Sequence, residues 1–345
     1  MARRERTTGL PRPRPRVHHA AGRTIAGITW TDAHVRWLIL GAALALLLVV
    51  AGLVGYHEYD YRILTPRHTV LSVGNQDVKL SYYTDRLYSY AQADQAAQAQ
   101  AQSGGSTNIA LLEQQLLGTL ETEAVTVQLA KDKGIDLSDD AITKEIADEL
   151  GVPVGGSGSS FDTLYRAKLH SSKMSDSSYR RMAEATLANK RLLDNFKNDL
   201  GGTGEGITIR SVVVASEDEA KAAVAAINGG ADMGTLAQTT SIDDTSKSND
   251  GIMTPVPTEL LPQAIQDAIK DKPQGGTLLG PTQVQTNWWV FKIEKRDPSY
   301  AYSDADKTQL SQIRLDAAIK EKRAATNIKR NLTTDDVDWA LKNAG

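Results

Sequence analysis

Between Trp37 and Tyr56 the chain reads WLILGAALALLLVVAGLVGY, without one charged residue. About 20 consecutive apolar residues are what a single helix needs to cross a bilayer. A core helix of a soluble domain keeps a polar side, and this run has none. A cleaved signal peptide has an apolar stretch of roughly 7–15 residues and then a small-x-small cleavage site. Here the stretch is longer, and Leu53-Val54-Gly55 is a poor site. The run therefore predicts an uncleaved signal anchor over 37–56, with the segments before and after it on opposite sides of a membrane.

The flanks set the orientation. Residues 1–36 carry Arg3, Arg4, Arg6, Arg12, Arg14, Arg16, Arg23 and Arg36 against only Glu5 and Asp32. By the positive-inside rule this basic tail is cytoplasmic, and the chain beyond about residue 57 is extracytoplasmic. Within the tail, Pro11-Arg12-Pro13-Arg14-Pro15-Arg16 forbids a helix and favours an extended, disordered arm. Its charge places it near anionic lipid. Arg3-Arg4 lies too far from the apolar run to read as a twin-arginine export signal.

Composition excludes several classes of chemistry. There is no Cys, hence no disulfide, no Cys metal site, no Cys nucleophile and no acylated lipoprotein anchor. Of the six His, His18, His19 and His34 precede the anchor; His57, His68 and His170 follow it without ligand spacing. No metal and no cofactor is expected. Lys+Arg 39 against Asp+Glu 42 gives no basic surface for nucleic acid. A length of 345 residues allows two or three domains.

Beyond the anchor, Thr69–Leu80 reads as strand, turn at Gly74-Asn75, and strand, followed by a helix from Ser81 with Tyr82, Leu87 and Tyr90 facing inward. Leu112, Leu116, Leu117, Leu120, Ala124 and Val127 form the stripe of a long helix, ended by Lys131, Lys133 and Gly134. Ser138 caps the next helix, and two more cover roughly 161–169 and 176–199. Gly201-Gly202-Thr203-Gly204 reads as a linker. The pattern then changes. Ile207–Val214 is β-branched and alternating; Ser216-Glu-Asp-Glu219 is a capping box opening a helix over 217–228; Asp232 caps a short helix. A polar loop from Ser241 to Pro257, a helix over 259–271 and a strand over 287–296 follow. A last helix spans about 303–329, its stripe formed by Leu310, Ile313 and Ala317. A lone helix after an α+β unit needs a partner, so this one is expected to pack back on the helices before residue 201.

This order resembles the SurA/PrsA-type foldases, in which a helical chaperone domain is combined with a parvulin-type (PpiC-like) peptidyl-prolyl isomerase domain. The helical resemblance rests on "VLSVGNQDVKLSYYTDRL" and "LLEQQLLGTLETEAVTVQLAKDKGIDLSDDAITKEI". The parvulin resemblance, over about Ile207 to Asp297, rests on "SEDEAKAAVAAINGGADMGTLAQTTSIDDTSKSNDG", "KPQGGTLLGP" and "FKIEKRD". After the basic, disordered cytoplasmic tail 1–36 and the anchor 37–56, it implies an α+β fold: a mainly helical SurA-like domain over 57–201, an inserted parvulin-like domain over 205–298, and a C-terminal helix over 302–345 packing back on the helical domain.

The resemblance also locates a site. An X-Pro bond isomerises slowly because its barrier is about 18–20 kcal/mol, and catalysis needs only an apolar slot for the ring and polar groups favouring the twisted amide. The family's apolar wall corresponds to Met253, Leu260 and Ile269, and its Cys/Asp position to Asp243 or Asp244. The two family His positions are Ser211 and Trp289. Strand alternation places Ile209, Ser211 and Val213 on one face, and Trp289, Phe291 and Ile293 on one face. Trp289 thus points inward, filling imidazole volume and within reach of donating to Ser211. Trp288 points the other way, as a partly covered surface aromatic or an exposed anchor for client chains. Asp243-Asp244 otherwise reads as a solvated turn.

Three functions are implied. The first is a membrane-anchored extracytoplasmic chaperone that binds unfolded or proline-containing exported polypeptides, its isomerase activity weak or lost. The second is an active parvulin-type isomerase. The third is a non-catalytic envelope interaction protein.

Overall fold

The computed structural model describes residues 23–25, 28–30, 32–100, 109–155, 158–275 and 277–344. The chain divides into two compact units, Met1–His68 and Thr69–Gly345. In the first, β1 (Arg23–Ile25) pairs antiparallel with β2 (Ile28–Trp30). These strands fall inside the 1–36 segment expected to be disordered. Thr24, Ile25, Ile28, Thr29 and Trp30 are β-branched or aromatic, and their strand preference outweighs the segment's charge. The Pro-Arg arm at 11–16 lies outside the described residues. The helix α1 (Asp32–Tyr59) contains the apolar run and continues through a π-turn at Asp60–Leu64 and a 3-10 turn at Thr65–Arg67. Arg36–Arg67 is long and apolar enough to cross a membrane: its most apolar 18-residue window has mean hydropathy 2.8 and is 0% buried.

The second unit begins with β3 (Thr69–Val73) and β4 (Gln76–Lys79), joined at Gly74, whose φ of 57° suits a residue without a Cβ. Helices α2 (Leu80–Gln100), α3 (Ile109–Asp132), α4 (Asp139–Glu149), α5 (Ser160–Ser172) and α6 (Asp176–Asp199) follow. A sheet region is then built from β5 (Thr203–Val214), α7 (Glu217–Asn228), α8 (Met233–Thr240), α9 (Asp244–Lys247), β6 (Val256–Pro257), α10 (Gln263–Ile269), β7 (Leu279–Val284) and β8 (Asn287–Ala301). The chain closes with α11 (Asp304–Ala325), β9 (Ile328–Arg330) and α12 (Thr334–Asn343).

In the helical region, the predicted stripe of α3 is buried from Leu112 to Val127, with Tyr82, Tyr83 and Leu87 of α2 packed against its first half. α3 also meets α6, and α11 lies against both. The buried face of α11 is Leu310, Ser311 and Leu315, with Ile319 half-buried. Ile313 is 44% exposed, and Ala317 is exposed too, so of the expected stripe only Leu310 faces inward. Leu315 and Ile319 meet a surface already set by Val127, Ala188 and Leu192, and that surface chooses the face.

The expected final helix over 303–329 stops at Ala325 because the chain turns into β9, which pairs antiparallel with β3 to give the order β4-β3-β9. Two arginines fasten this return: Arg330 Nη2 lies 2.7 Å, and Arg323 Nε 3.0 Å, from the buried carboxylate of Glu121 on α3.

Three further expectations fail in the sheet region. The linker at 201–204 is strand from Thr203 onward, because Thr203–Gly206 pairs with Asp297–Ala301. β8 accordingly runs past 296 to Ala301. The helix over 259–271 is broken at Pro262, whose ring forces Leu261 into an extended conformation (ψ 150°) and confines α10 to seven residues.

Candidate functional site

The four-stranded sheet has the order β6-β5-β8-β7 and is covered on both faces. Alternation along β5 and β8 divides their side chains. Val212, Val214 and Val290 pack under α7 and α8 with Ala220, Ala223, Met233 and Ala237. Trp288 is half-buried in this helix-side cluster, not an exposed anchor; α7 and α8 cover the face on which it emerges. Ile207, Ile209, Phe291 and Ile293 occupy the other face, beneath Leu261, Ile265 and Ile269.

Of the family pocket positions, Ser211, Met253, Ile269 and Trp289 lie on that second face. Ser211 is fully buried, pairs across the ladder with Phe291, and donates its N–H to the Gly251 carbonyl at 2.8 Å. Its Oγ has no hydrogen-bond partner. Trp289 lies opposite Val213 rather than Ser211, so the expected donation from its indole N–H is not made. Trp289 remains half-buried at the edge of the cluster, beside Met253, Leu279 and Val284.

The loop after α9 is stitched along β5. Met253 N–H donates to the Ile209 carbonyl at 2.9 Å, and Arg210 Nη1 donates to the Asp250 carbonyl at 2.9 Å. Gly251 must be glycine: its φ is 79°, and an added Cβ would stand 2.7 Å from the Ser211 carbonyl oxygen. This stitching holds Met253 over the sheet. Ile269 is buried in the same cluster, whereas Leu260 is half-exposed and outside it; Leu261 supplies that part of the wall, because Pro262 ends the 3-10 turn and rotates its neighbour inward.

The loop before α9 is fixed by Ser241, whose buried Oγ accepts from Val213 N–H at 3.1 Å, and by Ile242 N–H donating to the Val213 carbonyl at 2.8 Å. Asp243 therefore sits at the end of β5, half-buried; its carbonyl accepts from Lys247 as α9 opens, and Asp244 is exposed. Sequence reasoning missed Ser241, Gly251 and the Arg210–Glu294 pair (2.7 Å). Asn249-Asp250-Gly251 is a turn signal that could have drawn attention to Gly251. Burial opposes ionisation of Glu294, but hydrogen bonds from Arg210 and Lys292 outweigh it and hold the carboxyl below its ordinary value.

Among the described residues no group of His, Asp and Glu is placed to hold a metal. His57, His68 and His170 all lie outside the sheet region. A cavity of about 560 Å³ runs beside α10, lined by Ile269, Gln266, Thr258 and Arg296 but not by Met253 or Trp289. On the second face, the groups available are an apolar wall, one orphaned hydroxyl and an indole.

Two family profiles match the sequence: "SurA-like N-terminal domain" over residues 28–193 and "PPIC-type PPIASE domain" over residues 195–307. No curated protein matches it significantly. Among solved structures, the chain is similar to the peptidylprolyl isomerase PrsA from Bacillus anthracis at 16% identity, covering 59% of this chain and 93% of that one, with a TM-score of 0.42. It is similar to PrsA from Bacillus cereus at 15% identity, covering 81% and 99%, with a TM-score of 0.39. The parvulin domain of PpiD from E. coli is 24% identical, covering 28% of this chain and 92% of that domain, with a TM-score of 0.25.

The two profiles define a protein that joins a SurA-like N-terminal domain to a PPIC-type isomerase domain. Between them the two domains account for residues 28–193 and 195–307 of the chain.

Proposed function

We propose that this foldase is a membrane-anchored, extracytoplasmic chaperone that binds unfolded exported polypeptides and whose isomerase activity is weak or lost. The observation carrying the second half is the pairing of Ser211 and Trp289 at the family's two His positions. Ser211 Oγ is sealed from solvent without a partner. An indole offers one N–H donor and accepts nothing. Neither can polarise a twisting amide as a pair of imidazoles can. In this reading Met253, Leu260 and Ile269 are what remains of a proline slot, Asp243 and Asp244 form a surface turn, and Trp289 fills the floor.

The domain plan proposed is a helical chaperone domain over 57–201 completed by 302–345, with the parvulin-like domain 205–298 inserted. Packing of α11 on α3 and α6, and of β9 on β3, supports it. The anchor is the apolar run 37–56, with the Arg-rich tail cytoplasmic and close to anionic lipid. Added protease should degrade the domains beyond residue 68 in spheroplasts while sparing an epitope placed before Arg36; the reverse pattern overturns the orientation.

The deciding experiment is a proline-peptide isomerisation assay on the full chain in detergent, run beside suppression of aggregation of an unrelated unfolded protein. Suppression without turnover is the expected result. Robust turnover that collapses in Met253→Ala overturns the loss of activity. Failure to protect any client, with capture of a single envelope partner, favours the non-catalytic interaction protein.

A further inference from the structure

The helical region has a cavity of about 580 Å³ between α2, α3 and α6, within the usual size of a ligand pocket. It is well separated in sequence from the sheet face just described and is built from different chemistry. Its one charged lining residue, Glu123, is already matched: Arg86 Nη2 lies 2.8 Å from its carboxylate, and Tyr82 OH donates to it at 3.0 Å. The cavity is therefore electrostatically neutral, which disfavours phosphate, cations and charged side chains.

The rest of the wall offers hydrogen bonds without charge. Thr122 and Thr126 donate their hydroxyl protons to the Gly118 and Thr122 carbonyls, one turn back along α3, each at 2.8 Å. Thr126 Oγ1 keeps its lone pairs as acceptors, whereas Thr122 Oγ1 already accepts from Arg323 Nη2 at 2.9 Å, a guanidinium itself paired with Glu121. Gln115 and Asn189 bring amide groups carrying both donors and an acceptor to the exposed rim. Gly118 leaves its stretch of floor open, since a Cβ built there meets nothing within 4 Å. A solvated helix face ordinarily carries long charged side chains; this one is recessed between neighbouring helices and carries hydroxyls and a glycine.

We propose that this cavity is the site where the foldase holds its client, and that it takes an uncharged, extended stretch of polypeptide through backbone hydrogen bonds rather than through large apolar side chains. The proposal rests on the chaperone reading above. An extended backbone presents an N–H and a C=O at every residue whatever its sequence, which is what a neutral wall of hydroxyls and amides can recognise. Selection by such a wall is tolerant of client sequence and insensitive to salt.

The test uses the full chain in detergent and a short fluorescein-labelled peptide of Gly, Ser, Asn and Val, followed by anisotropy. Gly118→Trp and Asn189→Trp place bulk in the cavity from α3 and from α6. Each is expected to weaken peptide binding about tenfold or more, with an unchanged unfolding midpoint and with wild-type affinity the same at low and high salt. Should Gly118→Trp fail to fold, Asn189→Trp, at an exposed position, decides. Wild-type affinity in the folded variants, or binding that disappears in salt, overturns the site. If those variants still suppress aggregation of an unfolded protein, the chaperone reading stands and the client is held elsewhere. If the wild-type chain neither binds the peptide nor suppresses aggregation, both fall.

Discussion

Ser211 keeps a hydroxyl in an apolar layer, between strands and under α10, with nothing to bond it. A buried polar group without a partner costs about 1–3 kcal/mol. Ser211→Ala removes that cost and leaves only a small void. It is expected to stabilise the sheet region by about 1 kcal/mol, read from the urea unfolding midpoint. Glu294 is the opposite case, a carboxylate whose native pKa is lowered by its bonds to Arg210 and Lys292 in spite of burial. A lowered native pKa contributes stability above the ordinary glutamate value of 4.5, and that contribution is lost as pH falls through the native value. Glu294→Gln should therefore be less stable than wild type at neutral pH. The two unfolding curves should converge in acid, in a pH series of thermal melts.

At the scale of elements, patterns of local origin could be read directly. The capping box at Ser216 and Glu219 is formed, and α7 spans the predicted 217–228. Ser138 and Asp232 cap the helices assigned to them. What could not be read depends on partners distant in sequence. Thr203-Gly204-Glu205-Gly206 has the composition of a linker and becomes a strand only because Asp297–Ala301 lies alongside. The site divides in the same way: alternation placed Ser211 and Trp289 on one face, but their offset along the ladder follows from register, which a single strand does not encode. Gly206 is required at the added pairing, since a Cβ there would overlap the Tyr300 ring. Gly206→Ala should cost about 1–3 kcal/mol and loosen the 203–206 and 297–301 ladder, detectable as faster amide hydrogen exchange in those segments.

Across the second unit, residues far apart in sequence share one small sheet and one buried charge. β9 pairs with β3, and Arg323 and Arg330 converge on Glu121, whose side chain is 6% exposed. Both arginines remain partly in water, so losing their shared partner costs less than for a fully enclosed pair. Glu121→Gln is expected to lower stability by about 2 kcal/mol, with β3 amides exchanging faster in a hydrogen-exchange experiment while those of β8 do not change.

The position of β9 also gives the molecule a direction in time. A chain is synthesised from its N-terminus, so β3 emerges with β4 beside it and nothing on its other edge. The strand that covers that edge, Ile328–Arg330, follows only after α11. Until those residues arrive, the edge of β3 offers unpaired backbone to any neighbouring chain. A chain stalled or released before Arg330 is thus left with an open, adhesive strand edge that the finished sheet does not have.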